Sequence, residues 1–314
     1  MKKTAFIFPG QGAQYKGMGK DLYDNYEVSR HVFEVADSVL GRKISTICFE
    51  GSEDELKQTI NTQPAIVTTS IAILEVLKSE LNITPDYTAG HSLGEYCAMY
   101  ASGVMTLEDT IKAIQKRAEL MGSVKGGSMA AVLNASEEQL KAGLEEGRKY
   151  GYVDIANYNS PAQVVITGDE EAVSKAGEYM LANGVRKVVP LPVSGAFHSK
   201  YMEEAGAEFS EFIKDFPLKD AKIPVITNVD AEPTINAEDF RAKMPRQIYS
   251  SVHWTQTIER LISEGVDTFI EIGPSKILAG LNKKFAYETI TYNVYDKISL
   301  ENTINLINAK MAEV

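Results

Sequence analysis

The chain has 314 residues, of which 44% are hydrophobic and 24% charged, and its formal net charge is −11. That composition is ordinary for globular proteins and excludes a disordered, collagen-like or disulfide-framework chain; the length suits two domains, or one large domain carrying an insert. The acidic surplus argues against general nucleic-acid binding, which needs Lys and Arg to neutralise phosphates.

In chain order, residues 4–8 read as a buried strand leading into the turn Pro9-Gly10-Gln11-Gly12. Their apolar run is too short for the hydrophobic stretch of a signal peptide. Ser52 and Glu55 form a capping box for a short helix. Pro64 opens a long apolar helix reaching about residue 81. No uninterrupted apolar stretch approaches the roughly 18 residues of a membrane span. Residues 87–90 are a short strand that runs at once into a helix from Leu93, and Thr106 caps a helix over 107–121.

The next stretch has a different rhythm. Residues 128–133 are a strand, and Ser136 with Gln139 opens a helix through a second capping box. Strands at 153–157 and 162–168 flank a tight Asn-Ser-Pro turn. A helix over 169–183 is closed by Gly184, and 185–191 is a last strand. This βαββαβ order is the ferredoxin-like pattern. Residues 127–191 are therefore expected to be a small domain inserted into a larger one made of 1–126 and 192–314. Gly126-Gly127 and Pro190/Pro192 would be its hinges. Strands at 223–228 and 267–272, each followed by a helix, resume the large domain. The expected class is α/β with a mostly parallel sheet. The two cysteines, Cys48 and Cys97, form no CxxC pair and point to a reducing compartment, the cytoplasm.

Gly90-His91-Ser92-Leu93-Gly94 fits the G-x-S-x-G nucleophile elbow. There a strand turns sharply into a helix, and the glycines permit close backbone approach. Ser92 is left at a helix N-terminus, where N–H groups can stabilise an oxyanion. A serine needs a base, and the chain has four histidines. His91 adjoins Ser92, but neighbours at an elbow diverge; His31 lies in a helical pattern. His198, in Ser194-Gly195-Ala196-Phe197-His198, and His253 beside Trp254 both remain candidates. In the helix over 107–121 the apolar stripe is Leu107, Ile111, Ile114, Ala118 and Met121, and Arg117 falls at its inward edge. It either snorkels past the core or clamps a carboxylate.

These residues resemble the malonyl-CoA:acyl carrier protein transacylases of fatty acid synthesis and the acyltransferase domains of polyketide synthases. The match runs from Phe8-Pro9-Gly10-Gln11-Gly12 through Gly90-His91-Ser92-Leu93-Gly94-Glu95 to Gly195-Ala196-Phe197-His198-Ser199. It continues through Asn228-Val229 to Glu271-Ile272-Gly273-Pro274. The resemblance implies a hydrolase-like large domain with a ferredoxin-like small one, and ping-pong transfer of malonyl from malonyl-CoA to the phosphopantetheine thiol of acyl carrier protein. Ser92 would be the nucleophile and His198 its base, held by a main-chain carbonyl near Gln247 rather than by a carboxylate. Gln11 and the Leu93 N–H would form the oxyanion hole, and Arg117 would pair with the malonyl carboxylate. Gln247, Phe197, Met121, His91 and Asn157 would contact substrate, the Phe197 ring crowding an α-methyl group. No metal or cofactor is implied, and the protein is expected to act as a monomer away from membranes and nucleic acid. A serine hydrolase releasing the acyl group to water, and a non-catalytic binding protein on the same fold, are the rival readings. Because carrier proteins are acidic as a class, a local basic patch is expected to receive one. Candidates are Lys276, Lys283 and Lys284 on a helix after Pro274, and Arg186 with Lys187.

Overall fold

The computed structural model describes residues 3–193 and 195–312. Ser194, quoted above in the histidine motif, lies outside them. The strands are β1 (Lys3–Phe8), β2 (Tyr87–Gly90), β3 (Ser128–Leu133), β4 (Val153–Ser160), β5 (Gln163–Gly168), β6 (Lys187–Pro190), β7 (Val225–Ile226), β8 (Pro233–Thr234), β9 (Val266–Ile272) and β10 (Ile290–Val294). Six of them form one sheet in the order β10-β9-β1-β2-β7-β8, parallel except where β8 joins β7. β1 and β9 are buried along nearly their whole length, so β1 reads as a mostly apolar run, while β9 buries Thr268 and Glu271 among its apolar residues. The other four form an antiparallel sheet in the order β4-β5-β3-β6. The helices Glu137–Gly147 and Glu170–Ala182 pack on that sheet around an apolar core of its own.

The local signals at helix starts hold. Ser52 and Ser136 each close a two-way capping box, with Glu55 and Gln139 respectively. The Thr106 side chain accepts from the Asp109 N–H. The long apolar helix, however, is Thr59–Glu80, with Pro64 inside it rather than at its start. A proline in a helix leaves the carbonyl four residues back without its donor. Here that carbonyl, of Ile60, accepts from Arg42 Nη2 at 2.8 Å. The helix is hydrophobic all round because it is buried all round: the most apolar part of it is 89% enclosed by the fold.

Other boundaries move for equally specific reasons. β4 runs on to Ser160, and the turn is Pro161-Ala162, because β4 also pairs outward: the Val252 N–H donates to the Ala156 carbonyl at 2.8 Å. The strand expected at 223–228 shrinks to β7, and β8 follows it before the helix Ala237–Tyr249. The helix after Pro274 is only Ile277–Asn282. The three lysines therefore do not share a face of one helix; Lys276 and Lys283 sit at its two ends.

Candidate functional site

A cavity of about 390 Å³ opens between the two sheets. The parallel sheet presents the loops after β1 and β2, and the antiparallel sheet presents Met129, Asn157, Asn159 and Val165. Gln11, His91, Ser92, Leu93, Arg117, Met121, Asn157, Phe197 and His198, scattered over nearly 190 positions of sequence, all line it. Gln247, expected among the substrate contacts, does not. It lies behind the wall, 1% exposed, because its side chain is taken up by the residues that do face the cavity.

The elbow is built by steric exclusion. A Cβ on Gly90 would collide with the Gly94 backbone, and one on Gly94 would collide with the carbonyl of Phe8. With both positions bare, β2 turns into the helix Gly94–Ala101 within three residues, and Ser92 takes φ 52°, a left-handed conformation unfavourable for a serine. The Leu93 amide falls at the N-terminus of that helix, where an N–H has no intrahelical acceptor.

Of the two histidines left open, the structure puts His198 beside the serine. Its Nε2 lies 2.8 Å from Ser92 Oγ. Its Nδ1 lies 2.9 Å from the Gln247 carbonyl and 3.1 Å from the Ser250 carbonyl. Carbonyls only accept, so Nδ1 carries the proton and Nε2 is free to accept from the serine hydroxyl. The Gln247 carbonyl is available because the helix Ala237–Tyr249 ends two residues later, leaving its last carbonyls without intrahelical donors. Burial, and then the neighbouring Arg117 charge, push the His198 pKa down from 6.5 to about 3. His253 instead starts the helix Trp254–Ser263, with its ring stacked on Tyr158 at 5.3 Å. His31 is exposed on the helix Glu27–Leu40.

Arg117 does not snorkel. It is wholly buried in the helix Leu107–Ser123. Its Nη1 donates to Gln63 Oε1 at 2.7 Å, and its Nη2 donates to Gln247 Oε1 at 3.0 Å and to Ser92 Oγ at 3.1 Å. Every one of these acceptors is neutral, and its Nε is buried without a partner among the described residues. Desolvation pulls its pKa down. A buried cation held by neutral groups is costly unless an anion arrives to pair with it.

Gln63, Asn159, Glu95 and Asn228 belong to this constellation without having been given a role from the sequence. Gln63 sits in the apolar helix Thr59–Glu80, where a lone amide carries no pattern. Asn159 lies 2.7 Å from His91 Nε2 through its Oδ1, in a segment expected to be a turn. Glu95 and Asn228 appear within recognisable motifs, but their contacts with each other are tertiary.

The acyl transferase domain family matches residues 5–294. A malonyl CoA-acyl carrier protein transacylase of Bacillus subtilis is 43% identical over 98% of both chains. The crystal structure of the malonyl CoA-acyl carrier protein transacylase of Clostridium perfringens superposes with a TM-score of 0.93 at 38% identity, covering 99% of this chain and all of that one. A malonyl-transacylase solved in complex with its type II polyketide acyl-carrier protein gives a TM-score of 0.93 at 34% identity, covering 97% of this chain and 99% of that one.

Proposed function

This chain belongs to the acyl transferase family, and we propose that it works there as a malonyl-CoA:acyl carrier protein transacylase whose malonyl group passes through Ser92. The Ser92 hydroxyl gives its proton to His198 Nε2 and attacks the thioester carbonyl. The oxyanion is met by Gln11 and the Leu93 N–H at the head of the helix. The carbon–sulfur bond breaks, and the CoA sulfur leaves as a thiol with the proton from His198. In the second half the phosphopantetheine thiol of the carrier gives its proton to His198 and attacks the serine ester. Ser92 then recovers its hydroxyl hydrogen from the imidazolium.

What supports this reading above other acyl chemistry is the Arg117 guanidinium, fully buried and surrounded by neutral acceptors next to the Ser92 hydroxyl. A planar fork of N–H donors matches a carboxylate. Held there, the free acid of malonate places the thioester carbonyl over Ser92. Phe197, on the cavity wall beside His198, would crowd a substituent on the malonyl α-carbon. Residues 127–191 act as the inserted small domain that supplies the opposite wall. The enzyme works as a cytoplasmic monomer with neither metal nor organic cofactor and binds neither membrane nor nucleic acid; two free, buried cysteines fit that setting. Its carrier docks on the segment that carries Lys276, Lys283 and Lys284, the short helix Ile277–Asn282 and its two ends. The helix between them reaches Gly12, with Ile277 Cδ1 3.9 Å from where a Gly12 Cβ would sit.

Intact mass spectrometry tests the reading. Wild-type protein mixed with malonyl-CoA should gain one malonyl group, and carrier protein added next should take it. Ser92→Ala should gain nothing; an adduct that persists in that variant overturns the nucleophile assignment. Free malonate with an unmodified carrier would mark a hydrolase instead.

A further inference from the structure

The Asn228 side chain finishes a ladder that its strand leaves incomplete. β2 and β7 run parallel, pairing Thr88 with Val225 and Ala89 with Ile226, and β7 then ends. Two residues on, both main-chain groups of Asn228 turn away from β2. Its N–H donates to Glu95 Oε2 at 2.6 Å, and its carbonyl accepts from the His253 N–H at 3.0 Å. The side-chain amide faces β2 in their place. Nδ2 donates to the Gly90 carbonyl at 2.7 Å, and Oδ1 accepts from the Ser92 N–H at 2.8 Å. A residue in a parallel strand bonds its neighbour in this same way, giving to the carbonyl before the opposed residue and taking from the amide after it. The carboxamide thus imitates a peptide opposite His91. Its orientation is unambiguous, since Gly90 O can only accept and Ser92 N–H can only donate.

We propose that Asn228 and Glu95 are positioning residues for the nucleophile, on the reading that Ser92 is acylated. The Asn228 amide bolts both arms of the turn to the sheet, so Ser92 keeps its left-handed backbone and its Oγ stays in line with His198 Nε2. Glu95, in the first turn of the helix that follows Ser92, holds the Asn228 main chain and so aims that amide. Both side chains are almost fully buried, with Asn228 at 0% and Glu95 at 1% exposure, and neither lines the cavity. The arrangement also divides labour between the elbow amides. The Ser92 N–H is consumed by Asn228, which leaves the Leu93 N–H for the oxyanion.

The test is the single-turnover rate at which malonyl-CoA labels the protein, measured with KM for malonyl-CoA in folded variants. Asn228→Ala should slow labelling about 100-fold, the scale of a 1 Å misplacement at a reacting centre, and leave KM within about threefold because the substrate wall is untouched. Glu95→Ala should fall in the same way. Glu95→Gln, whose amide oxygen still accepts from the Asn228 N–H, should restore most of the rate. Should Asn228→Ala fail to fold, Asn228→Asp keeps the shape and one acceptor but loses the donor to Gly90, and should still slow labelling. Wild-type labelling rates in Asn228→Ala or Asn228→Asp would overturn the proposal, as would a raised KM with an unchanged rate. Absence of any malonyl adduct on wild-type Ser92 would instead overturn the underlying reading of the nucleophile.

Discussion

Arg117→Ala should invert the acyl preference of the enzyme. The guanidinium makes three hydrogen bonds, to Gln63, Gln247 and Ser92, and none to a carboxylate; a bound malonyl group would supply the missing anion in a site that is wholly buried. Breaking a buried ion pair by removing one partner costs about 3–5 kcal/mol. At about 1.4 kcal/mol per tenfold, kcat/KM for malonyl-CoA should fall by roughly 10²- to 10⁴-fold. Acetyl-CoA should respond in the opposite direction. It leaves the guanidinium desolvated and unpaired, a burden of about 1–3 kcal/mol, and deleting the cation removes that burden. The assay is competition: equimolar malonyl-CoA and acetyl-CoA, with the acyl-enzyme read by intact mass and kcat/KM then measured for each donor alone. A malonyl-to-acetyl ratio that stays within about threefold of wild type would refute the clamp, whatever happened to the absolute rates.

With His198 pushed down to about 3 by burial and Arg117, the imidazole is neutral and able to accept a proton throughout pH 5–7. The profile of kcat/KM should therefore show no acid limb near 6.5, and an inflection there would contradict the arrangement. The same depression makes the unfolded chain the better proton acceptor below 6.5, so His198 subtracts stability progressively as the pH falls toward 3; urea midpoints across that window measure it. Phe197→Ala should raise kcat/KM for methylmalonyl-CoA relative to malonyl-CoA by about 10- to 200-fold, the range for one methyl in an apolar pocket; an unchanged ratio would remove Phe197 from selectivity. Charge reversal of Lys276, Lys283 and Lys284 should raise KM for carrier protein well above any change for malonyl-CoA, and equal effects would place docking elsewhere.

The features legible in the sequence are those written within a few residues. The capping boxes at Ser52 and Ser136, the cap at Thr106 and the elbow at 90–94 are local chemistry, and each stands where its motif puts it. The Pro64 boundary fails because its rescue comes from Arg42, far upstream in the chain. The turn after β4 moves because Val252 pairs with that strand. Histidine choice follows the same rule: nothing near His198 or His253 distinguishes them, since the deciding contacts are with Gln247 and Ser250 on another element. Arg117 was placeable by helix phase, yet its depth was not. The periodicity gives a direction, whereas the acceptors Gln63 and Gln247 that let a cation sit so far inside come from two other helices.

Holding the base by main-chain carbonyls also limits which bonds the site can break. A carboxylate beside an imidazolium would stabilise the charge and let the ring wait for a demanding leaving group such as an amine. His198 has only the Gln247 and Ser250 carbonyls and an adjacent arginine, so its protonated form is fleeting and strongly acidic. A thiol ionises near 8.5, low enough that sulfur departs with little help. The same centre would be a poor amidase. Its economy of base strength suits a first step in which sulfur leaves, and in the second step the strongly acidic imidazolium returns its proton to the departing Ser92 oxygen.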